Sequence, residues 1–307
     1  MTRTEPSASE LSPGEPSAPG SDTDLACYGR AAHRSAATII HEYSTSFGMA
    51  TRLLSASVRP GVEDVYALVR VADEIVDGAA AEAGLSVAQI REVLDTLEAD
   101  TEQALRTGYS ANVVVHAFAR TARAAGFGAE LTRPFFDSMR RDLDPVDFSA
   151  DELSAYVYGS AEVVGLMCLA VFLADSPAPE ATRRRLQAGA RRLGAAFQKI
   201  NFLRDLAVDY AQLGRSYFPG IDPAHLTERQ KLALVVDIDC DLGAAADVIP
   251  ELPDNCRRAI VAAHGLFSEL SDRIRATPAR ELLERRIRVP NGVKLAILLR
   301  ASTGTLR

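Results

Sequence analysis

With 307 residues, of which 47% are hydrophobic and 24% charged, the chain has ample material for a large core. A net charge of −7 excludes the broadly basic face of a nucleic-acid binder and leaves room only for a local basic site facing an anionic ligand. Four cysteines (Cys27, Cys168, Cys240 and Cys256) form no CxxC pair, and five scattered histidines show no metal-binding spacing. A disulfide framework or zinc site is therefore not expected, and reduced thiols in a cytoplasmic protein are.

Residues 1–24 are rich in Ser, Pro, Glu and Gly and read as a disordered tail, because so little apolar surface cannot offset the entropy of ordering. No signal peptide is visible there. From Leu25 onward the composition is uniform, and residues 25–307 read as one domain. Apolar residues at three- and four-residue intervals predict helices over 25–44, 61–78, 86–106, 111–125, 129–141, 150–174, 179–213, 227–245, 253–275 and 290–301. Ser149 and Glu152 have capping-box spacing ahead of the sixth helix. The apolar run Val163–Ala174 is too short to cross a bilayer, which takes about 20 residues, and is expected to be core. Gly214 stands where a C-terminal cap belongs, after a helix of about 35 residues, or roughly 50 Å. No strand-like alternation occurs, so the fold class is all-α.

Two of these helices carry matching polar stripes. In the 61–78 helix, Tyr66, Arg70, Asp73 and Asp77 follow one another by four, three and four residues. In the 179–213 helix, Gln198, Asn201, Asp205 and Asp209 follow by three, four and four. Each set occupies one helical face, and both are flanked by apolar residues. A lone DxxxD is usually solvated surface. A pair of such stripes is harder to explain that way, since like charges at i,i+4 each cost roughly 0.2–0.5 kcal/mol. Carboxylates facing each other about 5 Å apart would repel by roughly 3 kcal/mol at an effective dielectric near 20. Cations relieve this, and hard oxygen donors favour Mg²⁺ or Mn²⁺. Magnesium held by a few carboxylates completes its shell with water and phosphate, which points to a diphosphate ligand that Arg70, Arg204 and Arg215 can grip. No nucleotide-binding glycine loop is present, and no Glu-x-x-His pair suggests a redox di-metal bundle.

The stretch YSTSFGMATRLLSASVRPGVEDVYALVRVADEIVDG resembles the first signature of the squalene and phytoene synthase family. QKINFLRDLAVDYAQLGRSYFP resembles the second, and YVYGSAEVVGLM the helix between them, in the same order. The resemblance runs from about residue 25 to the end. It implies an isoprenoid synthase-type helical bundle around a central cavity, with Asp73 and Asp77 as the first set of Mg²⁺ ligands and catalytic aspartates, and Asn201, Asp205 and Asp209 as the second. By the same resemblance Tyr43, Ser44, Thr45, Ser46 and Phe47 form a segment that closes on a diphosphate. Tyr66, Arg70, Gln198, Arg204, Arg215, Tyr217 and Arg286 are implied to contact substrate, and Tyr156 and Val164 to line the prenyl pocket. Two positions depart from the pattern: Glu162 replaces a common glycine and Phe267 a frequent tyrosine.

The activity implied is a head-to-head prenyl transfer, with two geranylgeranyl diphosphates giving phytoene as the leading expectation. The same reaction on farnesyl diphosphate, and a non-catalytic scaffold of the same fold, are the alternatives. A scaffold would be expected to lose its aspartates, and all four are present with the asparagine. Expected partners are prenyl diphosphates, with no nucleic acid, and with peripheral membrane contact open through the basic run Arg285–Arg288.

Overall fold

The structure, a computed structural model, describes residues 23–144, 148–213 and 217–303, with the side chains of residues 45–47 and 208–213 outside that description. The tail expected to be disordered and the Gly214 cap thus lie outside the described residues, apart from Thr23 and Asp24 at the start of the first helix. All regular structure among the described residues is helical.

In chain order the helices are α1 (Asp24–Tyr43), α2 (Thr45–Thr51), α3 (Arg59–Asp77), α4 (Ala79–Glu82), α5 (Val87–Thr107), α6 (Val113–Ala125) and α7 (Ala129–Arg141). Then come α8 (Ala150–Val157), a π-helical turn (Tyr158–Glu162), α9 (Val163–Ala174), α10 (Glu180–Leu213), α11 (Glu228–Ala246), α12 (Asp254–Ala276) and α13 (Asn291–Ser302). All ten predicted helices are present within a few residues of their expected ends. The expected Ser149 capping box forms: Glu152 N–H donates to Ser149 Oγ at 3.3 Å and Ser149 N–H to Glu152 Oε2 at 2.9 Å. The short helix α2 was not predicted, because TSFGMAT is too brief to show a helical period.

The core falls into two apolar clusters. One holds Leu68, Phe118, Phe135, Phe136 and Met167, between α3, α6, α7 and α9. The other holds Tyr156, Ile200, Phe202, Leu203, Tyr217 and Phe267, between α8, α10 and α12. The continuous helix 150–174 joins them. By length and composition it is the one helix among the described residues that would cross a bilayer, yet its α9 half packs on α3, α6, α7 and α10. Val163, Met167, Leu169, Val171 and Phe172 are buried, as expected of core.

That helix sits where it does because it has glycines at its tightest contacts. A Cβ on Gly159, inside the π turn, would lie 2.1 Å from the Pro134 carbonyl oxygen of α7, and one on Gly165 would lie 2.6 Å from the Ala190 carbonyl of α10. Gly194 of α10 answers from the other side, with 2.6 Å of room to the Ala161 carbonyl. Backbone therefore meets backbone on both flanks, and a π turn at such a point is a common feature of functional helices. The consequence is spatial: α3 and α10 both pack on α9, and the two polar stripes end up on elements held apart by it.

Near the C-terminus, a fully buried lysine fixes the chain that follows α12. Lys231 Nζ donates to the Arg275 and Thr277 carbonyls at 2.9 and 2.6 Å, satisfying the open end of α12, and pairs with Glu228.

Gly159→Ala should destabilise the fold by about 2 kcal/mol or more, because the clashing atom is backbone. Gly243→Ala, on an exposed turn of α11 with no atom within 4 Å of the new methyl, should stabilise it by about 0.5–1 kcal/mol. Urea denaturation of both variants checks the contrast; an unchanged Gly159→Ala midpoint would rule out the close helix approach.

Candidate active site

The first stripe is built on α3, whose apolar flank (Val65, Leu68, Ala72 and Val76) is buried and turns the polar face inward. Tyr66 hydrogen-bonds with the Ser44 side chain; burial raises its phenol pKa, with Arg70 opposing. The Arg70 guanidinium lies 4.4 Å from the centroid of the Tyr43 ring and forms an ion pair with Glu74, one turn along. Arg70 Nε itself is buried without a partner. Four predicted residues, Tyr43, Ser44, Tyr66 and Arg70, are thus brought together where α1 runs into α2. Thr45, Ser46 and Phe47 follow in α2, their side chains outside the described residues.

Asp73 is the most perturbed carboxyl group of the stripe, pushed up to about 7. Burial is the largest cause; Arg70 pulls the other way, and the neighbouring acids Asp77 and Glu74 add to the rise. Part of its surface stays accessible although protein surrounds it, as expected of a side chain lining an interior gap. Asp77 is more exposed, and its charge reaches Tyr156 on α8, where it helps raise the phenol.

The second stripe lies along α10. Gln198 is half-buried. The Asn201 side-chain carbonyl, Oδ1, is buried and accepts no hydrogen bond. Asp205 is gripped by two arginines: Arg204 Nε stands 3.1 Å from each carboxylate oxygen, and Arg286 Nε 2.7 Å from Oδ1. Arg286 thus reaches α10 from the segment after α12. Asp209 lies one turn further on α10 with its side chain outside the described residues, and Arg215 lies outside them altogether.

An aromatic cluster from α8, α10 and the segment after α10 lies beside the second stripe. The Tyr156 hydroxyl donates to Asp142 Oδ1 at 2.7 Å, and burial drives its pKa well above the ordinary value, with Asp142, Tyr217 and Asp77 adding to the rise. Its ring lies 6.1 Å from Phe202 of α10 and 6.2 Å from Tyr217, which stacks on Phe202 at 4.0 Å. Asp77 therefore acts on a ring that itself touches the second stripe's helix. Val164, the other predicted pocket residue, is half-buried against the first core cluster. Glu162 turns toward α10 and pairs with Arg191 at 2.6 Å, so its carboxylate has a cation of its own. Phe267 stacks on Phe197 at 3.6 Å, using its ring where a tyrosine would add a hydroxyl.

Sequence reasoning missed Glu74, Asp142 and the Phe202 ring among these. Glu74 adjoins Asp73 and was visible as part of DEIVD, but it lies off the four-residue stripe. Asp142 sits in a run of acids with no helical spacing, and nothing in the sequence links it to Tyr156.

The donor set fits a hard divalent cation in two respects. An amide oxygen is buried without a hydrogen bond from any described residue, and a carboxyl group with two further acids beside it is held in protein surroundings. No group of three or more His, Cys, Asp or Glu side chains converges among the described residues, which exclude the Asp209 side chain.

A model of the squalene/phytoene synthase family matches residues 40–292. The phytoene synthase of Mycobacterium tuberculosis is 30% identical over 288 residues, covering 86% of this chain and 88% of the relative. A chloroplastic phytoene synthase 3 of Zea mays is 32% identical over 191 residues, covering 62% of this chain, which spans only 43% of that protein. Among solved structures, a dehydrosqualene synthase in complex with a ligand superposes with a TM-score of 0.71 at 21% identity, covering 92% of this chain and 99% of the other.

Asp73 gives the site a pH signature. Folded, its carboxyl keeps a proton up to about pH 7, whereas the unfolded group ionises near 3.8. Its support for the fold is complete below the unfolded value and is lost as pH rises through about 7. Asp73→Asn, which cannot ionise, should therefore melt about 2 °C or more above the parent near pH 8 without divalent cations, with the gap closing near pH 4. Thermal unfolding followed by circular dichroism checks this; a variant less stable than the parent near pH 8 would contradict the burial argument.

Proposed function

The chain belongs to the squalene/phytoene synthase family, and from that premise we propose that it joins two prenyl diphosphates head to head, with geranylgeranyl diphosphate as substrate and phytoene as product. The observation that supports this reading is that the charge of Asp77 on α3 acts on the buried Tyr156 phenol, while the Tyr156 ring lies 6.1 Å from Phe202 on α10, the helix that carries Asn201 and Asp205. The choice of the C20 substrate rests on the phytoene synthases of Mycobacterium tuberculosis and Zea mays among its relatives.

Mg²⁺, or Mn²⁺ in its place, is the proposed cofactor, held by Asp73, Asp77, Asn201, Asp205 and Asp209. Bound there, it would neutralise diphosphate charge as the carbon–oxygen bond breaks. The chain's own residues do the rest. Arg70, Arg204, Arg215 and Arg286 bind diphosphate oxygens, the first through the Nε that has no protein partner. Gln198 and Tyr217 add polar contacts, and the segment Tyr43–Phe47, anchored by the Ser44–Tyr66 hydrogen bond, covers the leaving group.

Loss of diphosphate from one substrate leaves an allylic cation, which a double bond of the second substrate attacks; loss of a proton then closes a cyclopropane. A second ionisation, rearrangement and proton loss give the symmetric triene. The aromatic faces of Tyr156, Phe202 and Tyr217, with Val164, exclude water that would quench the cation and present negative ring faces to it. Tyr156 stays protonated throughout, since burial and its neighbours hold its phenol far above neutrality. A cytoplasmic location is part of the proposal.

Incubation of the purified chain with Mg²⁺ and geranylgeranyl or farnesyl diphosphate, followed by mass identification of the hydrocarbon, tests the reading. Phytoene from the C20 substrate is expected; a C30 product from farnesyl diphosphate alone would move the assignment to squalene or dehydrosqualene synthesis, and no product from either would favour the scaffold. Asp73→Ala and Asn201→Ala should each lower kcat by about a hundredfold or more with helicity intact.

A further inference from the structure

The charge of this chain is unevenly distributed. The last Asp or Glu is Glu284, and residues 285–307 hold six Arg or Lys and no acid. The first 284 residues therefore hold 28 Lys and Arg against all 41 Asp and Glu, a net charge of −13. A chain that is acidic overall thus carries a cationic segment after Glu284, and the structure shows what that segment presents as far as residue 303.

Its root is fixed. Ile287 and Val289 are buried, Arg286 pairs with Asp205, and α13 packs on α12 and α2. Ile297 fills the space left by Gly265 of α12, whose Cβ would come within 3.0 Å of it. On the opposite side of α13 two leucines one turn apart are left uncovered by the described residues: Leu295 is 56% and Leu299 60% exposed. At 100° per residue, Lys294 and Arg300 lie roughly 100° and 140° to either side of Leu295. Arg288, Lys294 and Arg300 form no ion pair with any described residue, whereas Arg285 is paired with Glu281.

Single exposed leucines need no explanation. A pair of leucines bracketed by unpaired cations, on a segment without acids, is the pattern of a helix that lies in a membrane interface. The leucines enter the acyl boundary while the long basic side chains reach headgroup phosphates. Pairing with a second copy through this face is disfavoured by charge, because a two-fold contact would set the cations of each copy against those of the other with no acid in the segment between them. We propose that α13, with residues 285–290, is a docking face for an anionic lipid bilayer, with Leu295 and Leu299 inserted and Arg288, Lys294 and Arg300 on the lipid phosphates. The face adjoins the site, since the same segment supplies Arg286 to Asp205 and α13 rests on α2. The proposal goes beyond the reaction, and its test is independent of turnover.

The test is flotation of the full chain with vesicles of phosphatidylcholine alone or mixed with phosphatidylglycerol, at low and high salt. Binding is expected to the mixed vesicles only and to weaken with salt. Arg288→Gln/Lys294→Gln/Arg300→Gln should weaken it by about a hundredfold, and Leu295→Ser/Leu299→Ser by about tenfold or more, with helicity unchanged. Because Arg288 and Arg300 are solvent-exposed and Lys294 is half-buried without an ion pair, the charge variant carries the test even if the leucine variant misfolds. Failure of the parent to float, equal flotation with neutral vesicles, or parental binding by the charge variant would overturn the proposal. So would a concentration-dependent dimer on gel filtration that the leucine variant dissolves, since that assigns the face to a second copy.

Discussion

A carboxyl group enclosed in a helical bundle must either hold its proton or have a cation beside it, and Asp73 imposes that choice on its surroundings. Its pKa of about 7 records the conflict: burial and two neighbouring acids favour the protonated form, and one arginine favours the ionised one. On α10, Asp205 has its charge met by Arg204 and Arg286, while the buried Asn201 Oδ1 accepts no hydrogen bond from any described residue. Neither arrangement stabilises a folded helix on its own account. On the proposed function, divalent cations and diphosphate would supply the missing partners.

The helix that packs against both stripe-bearing helices is fixed by close backbone approaches. Gly159, Gly165 and Gly194 let the central helix touch α7 and α10 backbone to backbone. α3 and α10 both pack on the α9 half of this helix, and Tyr156 on its α8 half lies beside Phe202 of α10. Lys231 has a comparable role at a distance, since by closing the end of α12 it fixes the path of the segment that brings Arg286 onto Asp205.

Much of this was legible in the chain itself. Helical periodicity located the elements because long amphipathic helices carry many redundant apolar positions, and the four-residue spacing placed each stripe on one face. What escaped had no periodic signal. Helix α2 is shorter than two periods, the π turn leaves the apolar pattern of 150–174 unbroken, and the bond from Tyr156 to Asp142 links residues in different elements. The resemblance named Arg286 as a contact, but its pairing with Asp205, 81 residues away, comes only from the folded chain. The basic C-terminal segment was visible as composition, whereas its bare leucine stripe became apparent only once the inner face of α13 was seen to be packed.

The most direct test of the two-stripe site measures cation binding itself. Mn²⁺ would be titrated into the chain with inorganic diphosphate present, and the free-ion electron paramagnetic resonance signal followed. The account predicts that the parent depletes that signal and that Asp73→Asn and Asn201→Ala, substitutions on different helices, each restore most of it. Depletion by both variants equal to that of the parent would contradict it.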